Sequence, residues 1–366
     1  MKNNSGIEYE SLANSNREFM HDLELAASRV INSGWYVLGQ EVAAFENEFA
    51  AWIGAKHCIG VGNGLDALIL SLDALDLPAG SEVIVASNTY IATILAILRA
   101  GLTPVLAEPD VATFNLNPVE IKKTLTSKTR AICVTHLFGK TCRMDAIGAF
   151  AQEHGLKIVE DCAQSHGTKL AGQMTGTFGD AGCFSFYPTK NLGAFGDDGA
   201  VITNDDGIAD RLRHTRNYGS RQKYLNEYIG VNSRLDEMQA ALLRVKLGHL
   251  DRMTEHKRKL ADIYFNNLPK DLILPRRRDD EFDVFHIFGV RHPDRDRLRA
   301  FMLEKGVKTE VHYPVPPHRQ KAMQGILFGD WPIADLLHAT ELSLPISFGH
   351  STDDVHRVCD VIQGFF

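Results

Sequence analysis

Lys190 stands in the stretch Phe184-Ser185-Phe186-Tyr187-Pro188-Thr189-Lys190-Asn191-Leu192-Gly193, after an aromatic run that buries as a strand and before a glycine-dense turn. From residue type alone, two readings of it are open. One is a surface lysine whose stem lies on apolar ground while its amine stays in water. The other is an amine desolvated so that it attacks a carbonyl and forms a Schiff base. Asp161, at the end of an apolar strand in Val159-Glu160-Asp161-Cys162-Ala163-Gln164, has a similar pair of readings. It is a helix cap, or a buried carboxylate held against a cationic ring nitrogen. Gly62-Asn63-Gly64 joins a short strand to a helix with apolar positions Leu65, Leu68, Ile69, Leu72 and Leu75. This is either a plain turn or an anion site, since the first N–H groups of a helix lack partners and its dipole favours negative charge.

The elements that must position these residues alternate regularly. Strands are expected at 57–61, 82–86, 103–107, 130–136, 157–160 and 200–203, interleaved with helices at 40–53, 64–75, 89–99, 118–125, 144–154 and 207–217. Strands apolar on both faces that alternate with helices mean an α/β fold with a covered, mostly parallel sheet. Ligands of such sheets gather beyond the carboxyl ends of the strands. A polar stretch at 3–16 and a helix at 17–32 precede this core. A long helix opened by the stretch 230–239 and running to about Leu268, interrupted or bent near Gly248, links a large domain (1–250) to a small α+β domain (251–366). The small domain is expected to hold strands at 282–290, 307–312 and 343–346.

The composition bounds the function. With 366 residues, 44% hydrophobic and 23% charged, the chain buries a sizeable core. A net charge of −7 argues against general nucleic-acid binding, so an anionic substrate needs a local basic patch. Arg211, Arg213, Arg216, Arg221 and Lys223, interleaved with Tyr218, Tyr224 and Tyr228, are the candidates for a diphosphate. Six scattered cysteines without a C-x-x-C pair read as reduced core thiols, not as a metal site. Residues 1–15 are polar and no run is long enough to span a bilayer, so the expected location is cytoplasmic.

A phosphate cradle, an acid and a lysine suit the phosphate, pyridine nitrogen and aldehyde of pyridoxal 5′-phosphate (PLP). The motifs Glu160 to Gln164, Phe184 to Asn191, Gly196 to Ala200 and Asn232-Ser233-Arg234-Leu235-Asp236-Glu237-Met238-Gln239 resemble those of the DegT/DnrJ/EryC1/StrS nucleotide-sugar aminotransferases. The resemblance runs from about residue 20 to the end. It implies the fold-type I (aspartate aminotransferase-like) architecture, with Lys190 as the Schiff-base lysine and Asp161 as the partner of the ring nitrogen. It further implies Gln164 beside the ring hydroxyl, Tyr90 beside the ring, and Asn63, Gly64, Leu65 and Ser185 around the phosphate. Asn232 matches a residue that reaches the phosphate in the neighbouring subunit, so the resemblance implies a homodimer. Many members carry a hydroxyl residue where Leu65 stands, which leaves that contact to its backbone N–H.

By the same resemblance the amino donor is L-glutamate, the acceptor a keto sugar, and Lys190 moves the proton. Tyr187 to Ala194 with Asn217-Tyr218-Gly219-Ser220 look most like enzymes acting at C-3 of dTDP-linked 3-keto-6-deoxyhexoses, with the galacto and gluco epimers both open. C-4 enzymes more often carry histidine where Tyr187 stands. The substrate-side candidates are His166, Tyr187, Tyr224, His312 and Tyr313, with a packed histidine the competing reading for His166 and His312. The alternatives are amination at C-4 or of a UDP-sugar, a PLP-binding regulator, and a dehydratase. The dehydratase branch has histidine in place of the lysine, and a regulator usually brings a DNA-binding segment.

Overall fold

The computed structural model describes residues 6–222 and 224–366. The first residues of the polar 3–16 stretch, and Lys223 of the basic patch, lie outside the described residues. Seven strands form the central sheet: β1 (His57–Val61), β2 (Glu82–Ala86), β3 (Thr103–Ala107), β4 (Thr129–Thr135), β5 (Lys157–Asp161), β6 (Ala181–Ser185) and β7 (Gly199–Thr203). Their order is β1-β7-β6-β5-β4-β2-β3. Only β7 runs against both of its neighbours, and the remaining pairs are parallel. The period-2 rule sorts the strand residues between two cores. Val83, Val85, Ala131, Cys133 and Val159 face one, under the helices α1 (Gly64–Ala74) and α2 (Ile91–Arg99). Ile84, Ala86, Ile132, Val134 and Ile158 face the other, with Ile147 and Phe150.

A third apolar cluster anchors the strand that leads to Lys190. Phe184 and Phe186 meet Phe45 and Phe49 edge to face, at ring-centroid distances of 5.1 to 5.5 Å. Burying each ring contributes about 1.5–3 kcal/mol. That exceeds the ordering cost of one residue, about 1–2 kcal/mol, so the aromatic run is held firmly up to the turn. Because β1, β4, β5 and β6 all point the same way, the turn after Val61, Thr135, Asp161 and Ser185 come out at one edge of the sheet.

The long helix is broken as expected, into α3 (Glu237–Leu247) and α4 (Leu250–Asn267). Two expectations for the C-terminal part need correction. The strand expected at 282–290 is split: Glu281–Phe282 pairs with Lys169–Leu170, and Phe288–Arg291 pairs with Glu341–Leu344. Between them Phe285 has φ 47, outside any strand conformation. The strand expected at 307–312 does not form, because its residues take single bridges to two different partners, Val307 to Ile7 and Glu310 to Ser343.

The first of those bridges fastens the start of the chain. Ile7 donates to the Gly306 carbonyl (2.7 Å), Lys308 donates to the Ile7 carbonyl (2.9 Å), and a ring nitrogen of His350 lies 2.9 Å from the Glu8 carbonyl. All six cysteines are buried and unbridged. No helix among the described residues is long and apolar enough to cross a membrane.

Candidate active site

Asp161 closes β5 and is 5% exposed. Burial pushes its carboxyl up from the ordinary aspartate range, opposed by a 2.7 Å bond from Thr93 Oγ1, a 3.1 Å bond from the Ala163 N–H, and the charge of Lys190. Thr93 is itself tied to Thr89, and Thr89 to Thr135, both at 2.9 Å. Lys190 lies in the turn after β6, half-buried, its backbone N–H on the Tyr187 carbonyl at 2.8 Å. Burial lowers its amine to about 8, against the opposing pull of Asp161 and Glu10. An amine so tuned is available as a base near neutrality.

At the same sheet edge Asn63 caps α1, accepting from the Asp66 N–H at 2.8 Å. Gly64 packs so closely on β6 that a Cβ there would sit 2.6 Å from Ser185 Cβ. Only glycine lets the helix start, with its unpaired N–H groups, meet the Ser185 hydroxyl side by side. Leu65 is half-buried and packs into the core. Gly62 donates to Ser233 Oγ (2.9 Å), and Ser233 donates to Asp66 (2.6 Å), so the segment carrying Asn232 is tied to this turn. Asn232 is exposed.

Gln164 is buried, its Oε1 accepting from the Phe138 N–H (2.6 Å) and its Nε2 donating to the Tyr313 hydroxyl (3.0 Å). The Tyr313 ring lies 5.0 Å from that of Tyr90, which is half-exposed at the start of α2. His312 adjoins Tyr313, and burial holds its imidazole down at about 4. Tyr187 is 51% and Tyr224 85% exposed. His166 is a correction. It is fully buried between Phe184 and Phe186, and burial depresses it to about 3, so it is a neutral packed histidine with no face open to a sugar.

The basic patch is corrected as well. Arg216 turns inward, pairing with Glu46 and donating to the Gly60 carbonyl at 2.7 Å, where it braces β1. Arg211 pairs with Asp76, Arg221 with Asp210, and Arg213 lies 3.3 Å from His57. These are paired side chains rather than a free cationic face.

Several neighbours of Lys190 carry no signal in the sequence. Lys246 and Lys257, on α3 and α4, are 4% and 7% exposed. Lys246 donates to the Gly193 carbonyl (2.6 Å) and Lys257 to Asn191 Oδ1 (3.1 Å), gripping the turn that carries Lys190. Burial lowers both amines to about 8. Glu10, brought in by the N-terminal segment, lines the same small pocket as the three lysines. A buried group of His136, Glu160 and Cys162 has the spacing of metal ligands. Glu160, however, is already taken by the N–H groups of Gly176, Phe178 and Gly179 and by His136. The trio is a satisfied network that stiffens the sheet edge beside Asp161.

The pieces suit PLP: a buried carboxylate whose charge is supported by two donors, a lysine with a lowered pKa, and a helix start against a hydroxyl with no side chain between. Comparison with known proteins agrees. Residues 19–363 match the model of the DegT/DnrJ/EryC1/StrS aminotransferase family. The chain is 47% identical to dTDP-3-amino-3,6-dideoxy-alpha-D-galactopyranose transaminase of Aneurinibacillus thermoaerophilus, over 98% of this chain and 99% of that one. It is 45% identical to dTDP-3-amino-3,4,6-trideoxy-alpha-D-glucose transaminase of Streptomyces venezuelae, over 94% and 92% of the two chains. The crystal structure of S. venezuelae DesV in complex with a ketimine intermediate superposes with a TM-score of 0.96 at 43% identity, covering 99% of this chain and 98% of that one.

Proposed function

The chain belongs to the DegT/DnrJ/EryC1/StrS aminotransferase family, and on that premise we propose that it moves the amino group of L-glutamate to the C-3 ketone of a dTDP-linked 3-keto-6-deoxyhexose, galacto or gluco. The products are dTDP-3-amino-3,6-dideoxyhexose and 2-oxoglutarate. It is a PLP-dependent aminotransferase of fold type I. The observation that carries the reading is the convergence of Lys190, Asp161 and the Gly64 helix start at one sheet edge. The C-3 ketone is supported by Tyr187 in the lysine turn and by the 3-amino product named for the Aneurinibacillus relative.

The bound cofactor supplies a ring that withdraws electrons from the donor's Cα. This chain's residues do the rest. Asp161, aimed by Thr93 and the Ala163 N–H, offers its carboxylate to the ring nitrogen. The Gly64 and Leu65 N–H groups, at the start of the helix that Asn63 caps through the Asp66 N–H, and the Ser185 hydroxyl would hold the phosphate. Tyr90 would bound the ring on one side, and Gln164 would serve the ring hydroxyl. Lys190 Nζ, lowered by burial to about 8, would take the proton from the donor Cα and pass it to the cofactor, and in the sugar half-reaction would carry a proton the other way, from the cofactor to the sugar C-3. Positioned proton transfer of this kind contributes about 10²–10⁴ in rate. Tyr187, Tyr224, His312 and Tyr313 receive the sugar.

The active unit is a homodimer, with Asn232 reaching the partner's phosphate. Ile229 and Leu225, 104% and 60% exposed, flank that residue with apolar surface. The chain divides into a cofactor domain (1–250) and a small domain (251–366), a reading supported by the break in the helix between Leu247 and Leu250, just before that boundary.

The test is product NMR after incubation with L-glutamate and either dTDP-3-keto- or dTDP-4-keto-6-deoxyhexose. An amine at C-3 is expected, and an amine at C-4 overturns the regiochemistry. Lys190→Ala is expected to lose the Schiff-base absorbance and turnover together; a variant that keeps both removes Lys190 from the mechanism.

A further inference from the structure

His312 lines a cavity of about 420 Å³ with Tyr9, Glu10, Thr189, His286 and Glu310, next to the lysine turn. Its Nδ1 lies 2.8 Å from Ser343 Oγ, and its backbone N–H donates to Glu341 Oε2, also at 2.8 Å. The Ser343 hydroxyl donates to Glu341 Oε1 and is also hydrogen-bonded to the Tyr9 phenol. Glu341 and Ser343 are 1% and 0% exposed, so water does not compete for these groups.

We propose that Glu341 and Ser343 are positioning residues for His312, fixing the imidazole as its Nδ1–H tautomer and leaving Nε2 as a hydrogen-bond acceptor for a sugar hydroxyl beside the reacting ketone. This rests on the sugar-aminotransferase reading above. The proton count decides the tautomer. Above about pH 8, where Glu341 is a carboxylate, it only accepts, and a serine hydroxyl has one proton. Ser343 gives that proton to Glu341, so the proton between Ser343 and His312 must belong to Nδ1. Burial keeps the ring neutral, which makes the tautomer, not the charge, decide what His312 offers. A site built to accept from a substrate hydroxyl discriminates strongly against an analogue that lacks it.

Glu341→Gln gives a sharp test, because the His312 N–H still needs an acceptor. The glutamine oxygen takes that place, and its NH₂ then donates to Ser343. The Ser343 proton, no longer taken by residue 341, then goes to His312 Nδ1 or to the Tyr9 phenol, and donation to Nδ1 moves the ring proton to Nε2; Tyr9→Phe in the same background leaves His312 as the acceptor. Burial raises Glu341 to about 8, and the ionisable or charged groups facing it are His312, Tyr313, Tyr9 and Arg295. Spectra are therefore recorded above that pH.

The holoenzyme carrying ¹⁵N-histidine is observed by two-bond ¹⁵N–¹H correlation, with His312→Gln to assign the peak. The wild type is expected to show a pyridine-like Nε2, and Glu341→Gln with Tyr9→Phe the opposite tautomer. Ser343→Thr, which keeps the hydroxyl, should retain the wild-type pattern, whereas Ser343→Ala should lose it. The KM for the keto sugar should rise roughly tenfold in Glu341→Gln and Ser343→Ala, with the glutamate half-reaction unchanged. The same tautomer in wild type and both variants overturns the proposal, and so does a tautomer change that leaves the sugar KM untouched. The spectra need no sugar, so an inverted tautomer in an enzyme that aminates no keto sugar counts against the functional reading alone.

Discussion

Thr93 Oγ1 donates a 2.7 Å hydrogen bond to Asp161 Oδ2, so the acid at the end of β5 is aimed by the helix that starts beside Tyr90. A hydrogen bond to a charged group contributes about 1.5–3 kcal/mol. Thr93→Val keeps the shape and removes the donor, leaving burial to push Asp161 further up. The expected outcome is a roughly ten- to hundredfold loss of PLP affinity, measured by fluorescence titration of the apoenzyme. Unchanged affinity would show that Asp161 needs no such support.

Lys246 and Lys257 are held at about 8 by burial, below the ordinary lysine value of 10.5. Between those limits the unfolded chain binds more protons than the folded one, so stability rises with pH across the window. The gain is on the order of 1 kcal/mol per pH unit for each lysine. Lys246→Met and Lys257→Met should each flatten the slope of urea midpoint against pH between 8 and 10.5. An unaltered slope in both variants would locate the effect elsewhere.

Glu237 accepts the N–H groups of Gly39, Glu41 and Val42 at 2.8 to 2.9 Å, capping the helix Gln40–Ile53 from a distant part of the chain. Glu237→Ala leaves three donors unpaired. It is expected to cost on the order of 3 kcal/mol in urea unfolding, whereas a surface acid such as Glu304 is expected to tolerate the same change within about 0.5 kcal/mol.

For Asn232 the informative experiment is complementation. In the proposed homodimer, Lys190→Ala would kill a subunit's own site, while Asn232→Asp would put a carboxylate beside the phosphate of the partner's site. Mixed subunits of the two variants should regain turnover that neither has alone, because one site of each mixed dimer is intact. No recovery on mixing would place Asn232 in its own subunit's site.

The strand and helix rhythm was legible because both faces of the sheet are covered, which writes near-continuous apolar runs such as Ile132 to Val134 into the chain. Lys190, Asp161 and the Gly64 turn were legible for a different reason: each sits at a strand end, where the pattern breaks. Residues whose role depends on tertiary placement left no such mark. Thr93 is one apolar-flanked threonine in a helix. Lys246 and Lys257 look like solvent-side lysines of an amphipathic helix until the lysine turn is seen packed over them. Arg216 misled in the opposite direction, since its neighbours suggested a cationic face while Glu46, far back in the sequence, was waiting to pair with it. His166 reads as polar, and only the rings of Phe184 and Phe186 packed against it in the fold make its site dry.

The fastening of Ile7 and Glu8 to Val307, Lys308 and His350 has a consequence for how the protein is born. The segment that delivers Glu10 leaves the ribosome ahead of the sheet, yet its partners are translated after the sheet. A nascent chain therefore completes its sheet, and presents Lys190, before the carboxylate that shares that lysine's pocket has anything to hold it there.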